Sequence, residues 1–361
     1  LLRSGKDYIE VAEKVRDVFL DRGFRPIIVV SASKGVTDLL IQVAKGHRGA
    51  LDEVERRYMD IALEIGSAKL IRRVEEELKK LRRITKSIEE ADAALVDYIV
   101  SYGERISKII TVQALENMNI HAFELDACSV IITNDVHGDA VIDYPATAVA
   151  LEKVYSVIKD RNYVPVIEGF IGRTPNGIVT TLGRGGSDYT ATAIAALLKL
   201  DKVFLVTDVE GVMTTDPDLV PTAKLVRYMS YVEALEASMY GTKGINPKAF
   251  EPLEKIFSSK VLIGSWRLFG TTISRDIPES LRGPKVIMIK DTVDYSYIAI
   301  VGEGVSEAKF VRDVLDIVIS RGIEIKGLQS HIHRPSIVLY VDKEQGVDIL
   351  KILHKALFEK G

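Results

Sequence analysis

The chain has 361 residues, 47% hydrophobic and 27% charged, with a formal net charge of −3 and a pI near 6.2. Such a length predicts about two domains with sizeable cores, and the charge balance excludes a broad basic field for nucleic acid or anionic lipid. The single cysteine, Cys128, can form no internal disulfide, and no apolar run reaches the ~20 residues needed to cross a bilayer, so no membrane partner and a cytoplasmic location are expected.

The opening Leu1-Leu-Arg-Ser-Gly is not a signal peptide, because a charge arrives before any apolar core. Without an initiator methionine, further residues upstream are expected. Ile9, Val11, Ala12, Val15 and Val18-Phe19 then recur at helical spacing over Tyr8 to Leu20, and Gly23 closes that helix. Arg25 to Val30 reads as a short buried strand ending in the polar turn Ser31-Ala-Ser-Lys-Gly-Val-Thr37-Asp38. Open α/β sheets place ligands at such turns; a helix-capping loop is the alternative.

From Leu51 to about Leu81 the chain is charged and helical, with Leu51, Val54, Tyr58, Ile61 and Ile65 on one stripe. Structural or lid material fits this pattern, with Glu75 to Lys80 as a solvated face. A second helical block, Ile88 to Met118, carries Gly103-Glu104-Arg105 in its middle. Gly103 costs about 1 kcal/mol in a helix, so it predicts a break or a close contact. Glu104 and Arg105 by themselves read as an exposed charge pair.

Ile120 to Leu125 is a strand ending at Asp126, Ile131 to Val141 is loop and short strand, and Thr147 to Lys159 is an amphipathic helix. Tyr163 to Ile167 is another strand, leading into Glu168-Gly-Phe-Ile-Gly172 and then to the stretch that organises the chain. There, the β-branched run Ile178 to Leu182 meets the turn Gly183-Arg184-Gly185-Gly186-Ser187-Asp188 and an alanine-rich helix to Leu198, with Ser187 as the expected N-cap. The glycines let backbone N–H groups approach an oxyanion, and the helix start adds unpaired donors and partial positive charge. Arg184 adds a planar fork for carboxylate or phosphate. A turn that only reverses direction remains the alternative.

Lys202 to Thr207 is a buried strand ending in Asp208-Val-Glu-Gly211-Val-Met213-Thr-Thr-Asp216-Pro217. Strands alternating with helices predict an α/β fold, a mostly parallel sheet with helices on both faces. No Gly-x-x-x-x-Gly-Lys-Ser/Thr loop, dinucleotide fingerprint or Gly-x-Ser-x-Gly elbow is present. The six histidines and one cysteine have no metal-ligand spacing, so no protein-bound metal is expected.

Taken together, Val30-Ser31-Ala-Ser-x-Gly-Val-Thr37, Gly103-Glu104-Arg105, Gly169-Phe-Ile-Gly172, Thr180 to Asp188, Thr207-Asp208 to Pro217 and Gly241-Thr-Lys243-Gly-Ile-Asn-Pro247 follow the order found in aspartate kinases (aspartokinases), and the chain resembles that family over nearly its whole length. The resemblance implies the amino-acid kinase fold over about 1–275, ATP carrying Mg²⁺ as phosphoryl donor, and phosphorylation of the L-aspartate β-carboxylate to 4-phospho-L-aspartate. That reaction is the first step of lysine, threonine and methionine biosynthesis. It also implies roles: Ser31, Thr37, Glu104, Arg184 and Ser187 for substrate, Asp188 for catalysis by ordering the cations, and Gly185, Gly186, Thr207, Asp208, Met213, Asp216 and Lys243 for the nucleotide. Physical reasoning agrees in kind, since Arg184 can pair an α-carboxylate and Glu104 an α-ammonium.

The chain departs from the family at several points. Nothing matches the opening Lys-Phe-Gly-Gly, Met213 stands where tyrosine is usual, Asp218 where arginine is common, and Asn246 where histidine is usual. These departures keep open a catalytically weak or inactive kinase-like amino-acid-binding regulator, and the runner-up enzyme is another amino-acid kinase, for a glutamate-type carboxylate.

Beyond a linker from Ile277 to Pro284, strands at Val286 to Lys290 and Tyr295 to Val301, a helix at Glu307 to Arg321, strands near Ile323 to Leu328 and Pro335 to Val341, and a helix from Gln345 to Phe358 are legible. This β-α-β-β-α order resembles an ACT domain, a small ferredoxin-like α+β amino-acid sensor, over 284–361. A dimerisation module without ligand is the alternative. Its last strand is missing unless Val286 to Lys290 fills that edge, and an open edge predicts a homodimer through this region. With one such unit, an amino-acid effector such as lysine or threonine is expected to inhibit weakly or not at all.

Overall fold

A computed structural model describes residues 2–86, 91–242 and 246–359. The chain divides into two compact units, Leu1–Leu198 and Lys199–Gly361.

The first unit opens with α1 (Gly5–Lys14), closed into a capping box by Ser4 and Asp7 and continued by single π and 3₁₀ turns to a left-handed Gly23. Next come β1 (Ile28–Val30), α2 (Val36–Ala44), α3 (Arg48–Ile65), α4 (Ala68–Thr85), α5 (Ala93–Val100) and α6 (Tyr102–Asn117). They are followed by β2 (Ala122–Leu125), α7 (Ala127–Val130), α8 (Tyr144–Ile158), β3 (Val164–Glu168), β4 (Ile171–Arg173), β5 (Val179–Thr181) and α9 (Gly186–Leu197). The helical stretch expected as one piece from Leu51 to Leu81 is two helices. Left-handed Gly66 ends the first, and Ser67 caps the second by accepting from the Leu70 N–H. Its stripe is buried as the periodicity requires, with Val54 and Tyr58 fully covered.

β3 lies between β1 and β2, parallel to both, with Val30 beside Glu168 and Leu125 beside Ile167. Successive strand residues point to opposite faces. Val30, Val164 and Val166 therefore join the core under α1 to α6, while Val29, Leu125 and Ile167 join a second core with α7 to α9. This is the expected parallel sheet sandwiched by helices. β4 and β5 form a separate antiparallel hairpin leading into α9.

In the second unit, β6 (Lys202–Val206), β7 (Tyr228–Ser230), α10 (Tyr231–Met239), α11 (Glu251–Lys255), β8 (Lys260–Gly264) and β9 (Thr271–Ser274) make a mixed sheet in the order β6-β8-β9-β7. Its middle pair, β8 and β9, runs antiparallel. The remaining elements are β10 (Val286–Asp291), β11 (Ser296–Val301), α12 (Ala308–Ile319), β12 (Gly327–Ser330), β13 (Ser336–Val341) and α13 (Gly346–Phe358). They form an antiparallel sheet β10-β11-β13-β12 whose core takes Val314 and Val318 of α12 and Ile349, Leu350 and Leu353 of α13.

β10 settles the question of the missing strand. It pairs with β11 along its full length, Val286 opposite Val301 to Asp291 opposite Ser296, and so fills the edge that an absent last strand would leave. Its outer side is covered too, since the Ile287 N–H donates to the Thr214 carbonyl. The open-edge argument for dimerisation through a missing strand therefore loses its premise. The remaining edge of this sheet is β12.

The 212–225 segment is bound to this sheet's layer. Val220 is part of its core, Thr214 Oγ1 lies 2.9 Å from Nε2 of the buried His354, and Lys224 Nζ donates to the Phe358 carbonyl. No helix among the described residues is long and apolar enough to cross a membrane.

Candidate functional site

The polar end of the first unit's sheet is assembled from four segments. β1 runs out at Val30, whose carbonyl accepts from the Gly169 N–H just beyond β3. Gly103 lets α6 approach this turn, because a Cβ there would come within 2.8 Å of the Ala32 side chain. Gly169 lets α9 approach it, because a Cβ there would fall 2.7 Å from Ser187 Cβ. The Phe170 N–H donates to Thr190 Oγ1 of α9 at 3.1 Å, and Phe170 itself is left-handed. Glycine is required at both crossings, so Gly103 makes the close contact its position predicts, while the break between α5 and α6 falls two residues earlier, at Ser101.

Glu104 sits at the centre of this junction, only 3% exposed. Its Oε1 accepts from the Ala32 N–H at 3.1 Å, and its Oε2 is buried without a hydrogen-bond partner. Burial, aided by the nearby Glu168 carboxylate, pushes its pKa up to about 8. The reading of Glu104 and Arg105 as an exposed charge pair is therefore corrected. Arg105 instead covers the rings of Tyr98 and Tyr102, 5.2 and 5.7 Å from their centroids. A buried, unsatisfied carboxylate oxygen costs stability, and such a group marks a place for a ligand donor.

Glu168 and Lys108 were not singled out in the sequence. They form a buried ion pair at 2.6 Å, and Glu168 Oε2 also accepts from the Ala127 N–H at 2.9 Å. Removing one member of such a pair typically costs ~3–5 kcal/mol, because the other is left charged and buried. The signals were present: a carboxylate closing the apolar strand Val164-Pro-Val-Ile-Glu168, and a lysine one turn beyond Glu104 in a largely apolar helix.

The glycine turn differs from its expected capping. α9 begins at Gly186 with left-handed Gly185 as N-cap, so Ser187 lies inside the first turn and is not the cap. Gly183 is also left-handed and is pressed against Asp139, whose Oδ1 would be 2.3 Å from an added Cβ. Arg184, between these two glycines, is exposed, while Ser187 and Asp188 are part-buried in the turn whose leading N–H groups have no partner further up the helix. Burial alone pushes the Asp188 carboxyl up to about 6. Ser31 is exposed beside Ala32, and Thr37 lies in the first turn of α2 behind left-handed Gly35.

The structure thus joins Glu104 to the Ala32 turn, that turn's strand end at Val30 to Gly169, and Gly169 to Ser187, with Ser31, Thr37, Arg184 and Asp188 on the segments that carry them. Gly186 is confined in the same turn, where a Cβ would meet Phe170 and Leu182. The other expected nucleotide residues belong to the second unit. Thr207 follows β6, its N–H donating to the Gly264 carbonyl and its hydroxyl to Asp208 Oδ1. Met213 bridges to Leu225, and Asp216 accepts from the Asp218 N–H in a local turn. Lys243 lies outside the described residues. Among those residues no three His, Cys, Asp or Glu side chains converge as a metal-binding group.

The model of the amino acid kinase family matches residues 1–265, well over half of the chain. The chain belongs to the amino acid kinase family. Among relatives of this amino acid kinase, lysine-sensitive aspartokinase 3 of Escherichia coli is 35% identical over 246 residues, 65% of this chain and 54% of that protein. The chloroplastic aspartokinase 2 of Arabidopsis thaliana is 30% identical over 276 residues, 70% of this chain and 49% of that protein. The chain spans about half the length of the curated relatives it matches. In fold, it superposes on E. coli aspartokinase III in complex with aspartate and ADP with a TM-score of 0.83 at 22% identity, covering 98% of both chains. The aspartate kinase of Clostridium acetobutylicum gives 0.77 at 20% identity, covering 99% of this chain and 97% of that one.

Proposed function

We propose that this amino acid kinase transfers the γ-phosphoryl group of ATP to the β-carboxylate of L-aspartate. The observation that carries the reading is Glu104: a buried carboxylate with one unsatisfied oxygen, at the junction where Ser187 closes on Gly169. An α-ammonium group supplies the missing donor and charge, and Arg184 on the adjoining loop offers a fork for the α-carboxylate. Ser31, Thr37 and Ser187 are hydroxyls on the three segments around that position. The relatives named above are aspartokinases, and one of them has been seen with aspartate and ADP.

Asp188 fits a bound cation, because its carboxylate is desolvated at a helix start and makes no hydrogen bond among the described residues. MgATP would supply the phosphoryl group and neutralise charge as it develops. Thr207, Asp208, Met213, Asp216 and Lys243 are proposed for the nucleotide, together with Gly185 and Gly186. The same reading gives a kinase domain over about 1–275 and an ACT-like domain over 284–361, able to take an amino-acid effector.

The test is hydroxylamine trapping of aspartyl phosphate from MgATP and aspartate, with glutamate run in parallel. Aspartyl hydroxamate is the expected product. A folded sample that binds ATP yet yields no hydroxamate from aspartate would favour a kinase-like regulator, and product from glutamate alone would reassign the substrate.

The same reading proposes self-association at β12, the remaining sheet edge, because Leu328, Gln329 and Ser330 are exposed there. Light scattering should report a dimer for the parent chain and a monomer for Leu328→Lys. A dimer unchanged by that charge would move the interface elsewhere.

A further inference from the structure

Asp97 is a buried carboxylate, 2% exposed, on the otherwise apolar α5 segment Ala93-Ala-Leu-Val-Asp-Tyr-Ile-Val100. An uncompensated charge there would be costly. Its partners all come from one region. His137 Nδ1 lies 2.7 Å from Oδ2, the Gly138 N–H reaches both oxygens at 3.1 Å, and Thr181 Oγ1 donates to Oδ1 at 2.5 Å. These donors belong to the 134–140 turn and to the last residue of β5. The turn and the strand are also joined directly, by the Ala140 N–H donating to the Thr181 carbonyl at 2.9 Å.

The two ends of this cluster lead to the two ends of the proposed substrate. Thr181 stands three residues before Arg184, and between them Gly183 is held left-handed under Asp139, the residue after Gly138. On the other side, α5 runs through Ser101 into α6, where Glu104 follows within one turn; the Ser101 hydroxyl donates to the Tyr98 carbonyl and its carbonyl accepts from the Arg105 N–H. One carboxylate therefore ties the helix that carries Glu104 to the loop that carries Arg184. Each of its bonds is made in a buried or half-buried setting, where a charge-assisted hydrogen bond holds its geometry best.

We propose that Asp97 is a positioning residue that sets the spacing between Glu104 and Arg184, through its hydrogen bonds to His137, Gly138 and Thr181. The proposal rests on the aspartate reading given above. A pocket that binds a small amino acid at both charged ends depends on that spacing, since a misplacement of about 1 Å can cost roughly a hundredfold. Asp97 itself touches no substrate atom in this scheme.

The experiment compares the parent chain with Asp97→Asn, Thr181→Val and Thr181→Ser. Asparagine turns one accepting oxygen into a donor facing the His137 and Gly138 donors. Valine deletes one hydroxyl donor while suiting the strand, and serine restores that donor. Asp97→Asn and Thr181→Val should each raise the KM for aspartate roughly tenfold or more, with the KM for ATP unchanged and kcat altered much less. Thr181→Ser should stay near the parent. In hydrogen exchange, the amides of residues 183–187 should exchange faster in the first two variants, while exchange in α6 is preserved. Unchanged exchange over 183–187 in Asp97→Asn would overturn the proposal, as would equal losses in both KM values and kcat. If the parent chain makes no product from aspartate, the substrate reading fails, and the exchange measurement still decides whether Asp97 holds the arginine loop.

Discussion

Asp188→Asn is expected to lower turnover by about a hundredfold or more while making the protein no less stable. The turnover estimate is the usual cost of removing one preorganised electrostatic group from a phosphoryl-transfer site. The stability side follows from the sign of the pKa shift. Burial raises this carboxyl from 3.8 to about 6, so the native state favours the protonated form. The stability associated with that preference is present below about pH 4 and is lost as pH rises through 6. At pH 7 the folded chain carries the full cost of a desolvated charge, on the order of 3 kcal/mol, and asparagine removes it. The charge at the helix start returns part of that, roughly 0.3–1 kcal/mol. Hydroxamate kinetics and urea midpoints measured on the same preparations separate the two effects. Parallel loss of turnover and stability would make Asp188 a structural residue.

Aspartate binding is expected to release a proton at pH 7 and none at pH 9. Glu104 holds a proton up to about pH 8 in the free chain, so at neutral pH the carboxyl is mostly uncharged. An ammonium group brought against its unsatisfied oxygen favours the carboxylate, and the proton leaves. Affinity should therefore fall about tenfold per unit as pH drops below 8. Calorimetry in two buffers of different ionisation heat counts the protons. Glu104→Gln should abolish the release and weaken aspartate by roughly 1.5–3 kcal/mol, the range for a hydrogen bond to a charged group. It should leave nucleotide binding intact.

The same shift has a consequence for folding. Stability from the raised Glu104 pKa is complete below about 4.5 and is lost as pH climbs through 8, so Glu104→Gln should surpass the parent in alkaline buffer. Arg184→Lys completes the set, because lysine keeps the charge and loses the two-pronged fork. A heat of binding independent of buffer at pH 7, with unchanged affinity in Glu104→Gln, would remove this residue from the substrate site.

Much of the chain's organisation was decided locally and could be read without coordinates. The strands at Val164–Glu168 and Lys202–Val206, the alanine-rich α9 and the stripe of α3 each carry their own period and terminators, because apolar spacing and glycine ends act over a few residues. The ordered motifs around Gly103, Gly169 and Gly183 were legible for the same reason: only glycine tolerates those conformations and approaches. The strands and helices of the β-β-α-β-β-α tail were equally plain.

What needed the tertiary structure was every property set by a partner distant in sequence. Glu104 and Arg105 are adjacent polar letters, and only packing shows that one is buried against the Ala32 turn while the other lies over two tyrosine rings. The Lys108–Glu168 pair spans sixty residues, and the donors to Asp97 lie forty and more residues away, so no local spacing can announce either. β10 closes the tail's sheet by pairing with β11, which a linear order of elements leaves open. Backbone preference is a near-neighbour effect, while burial, and with it the charge state of a carboxyl, belongs to whatever the fold brings alongside.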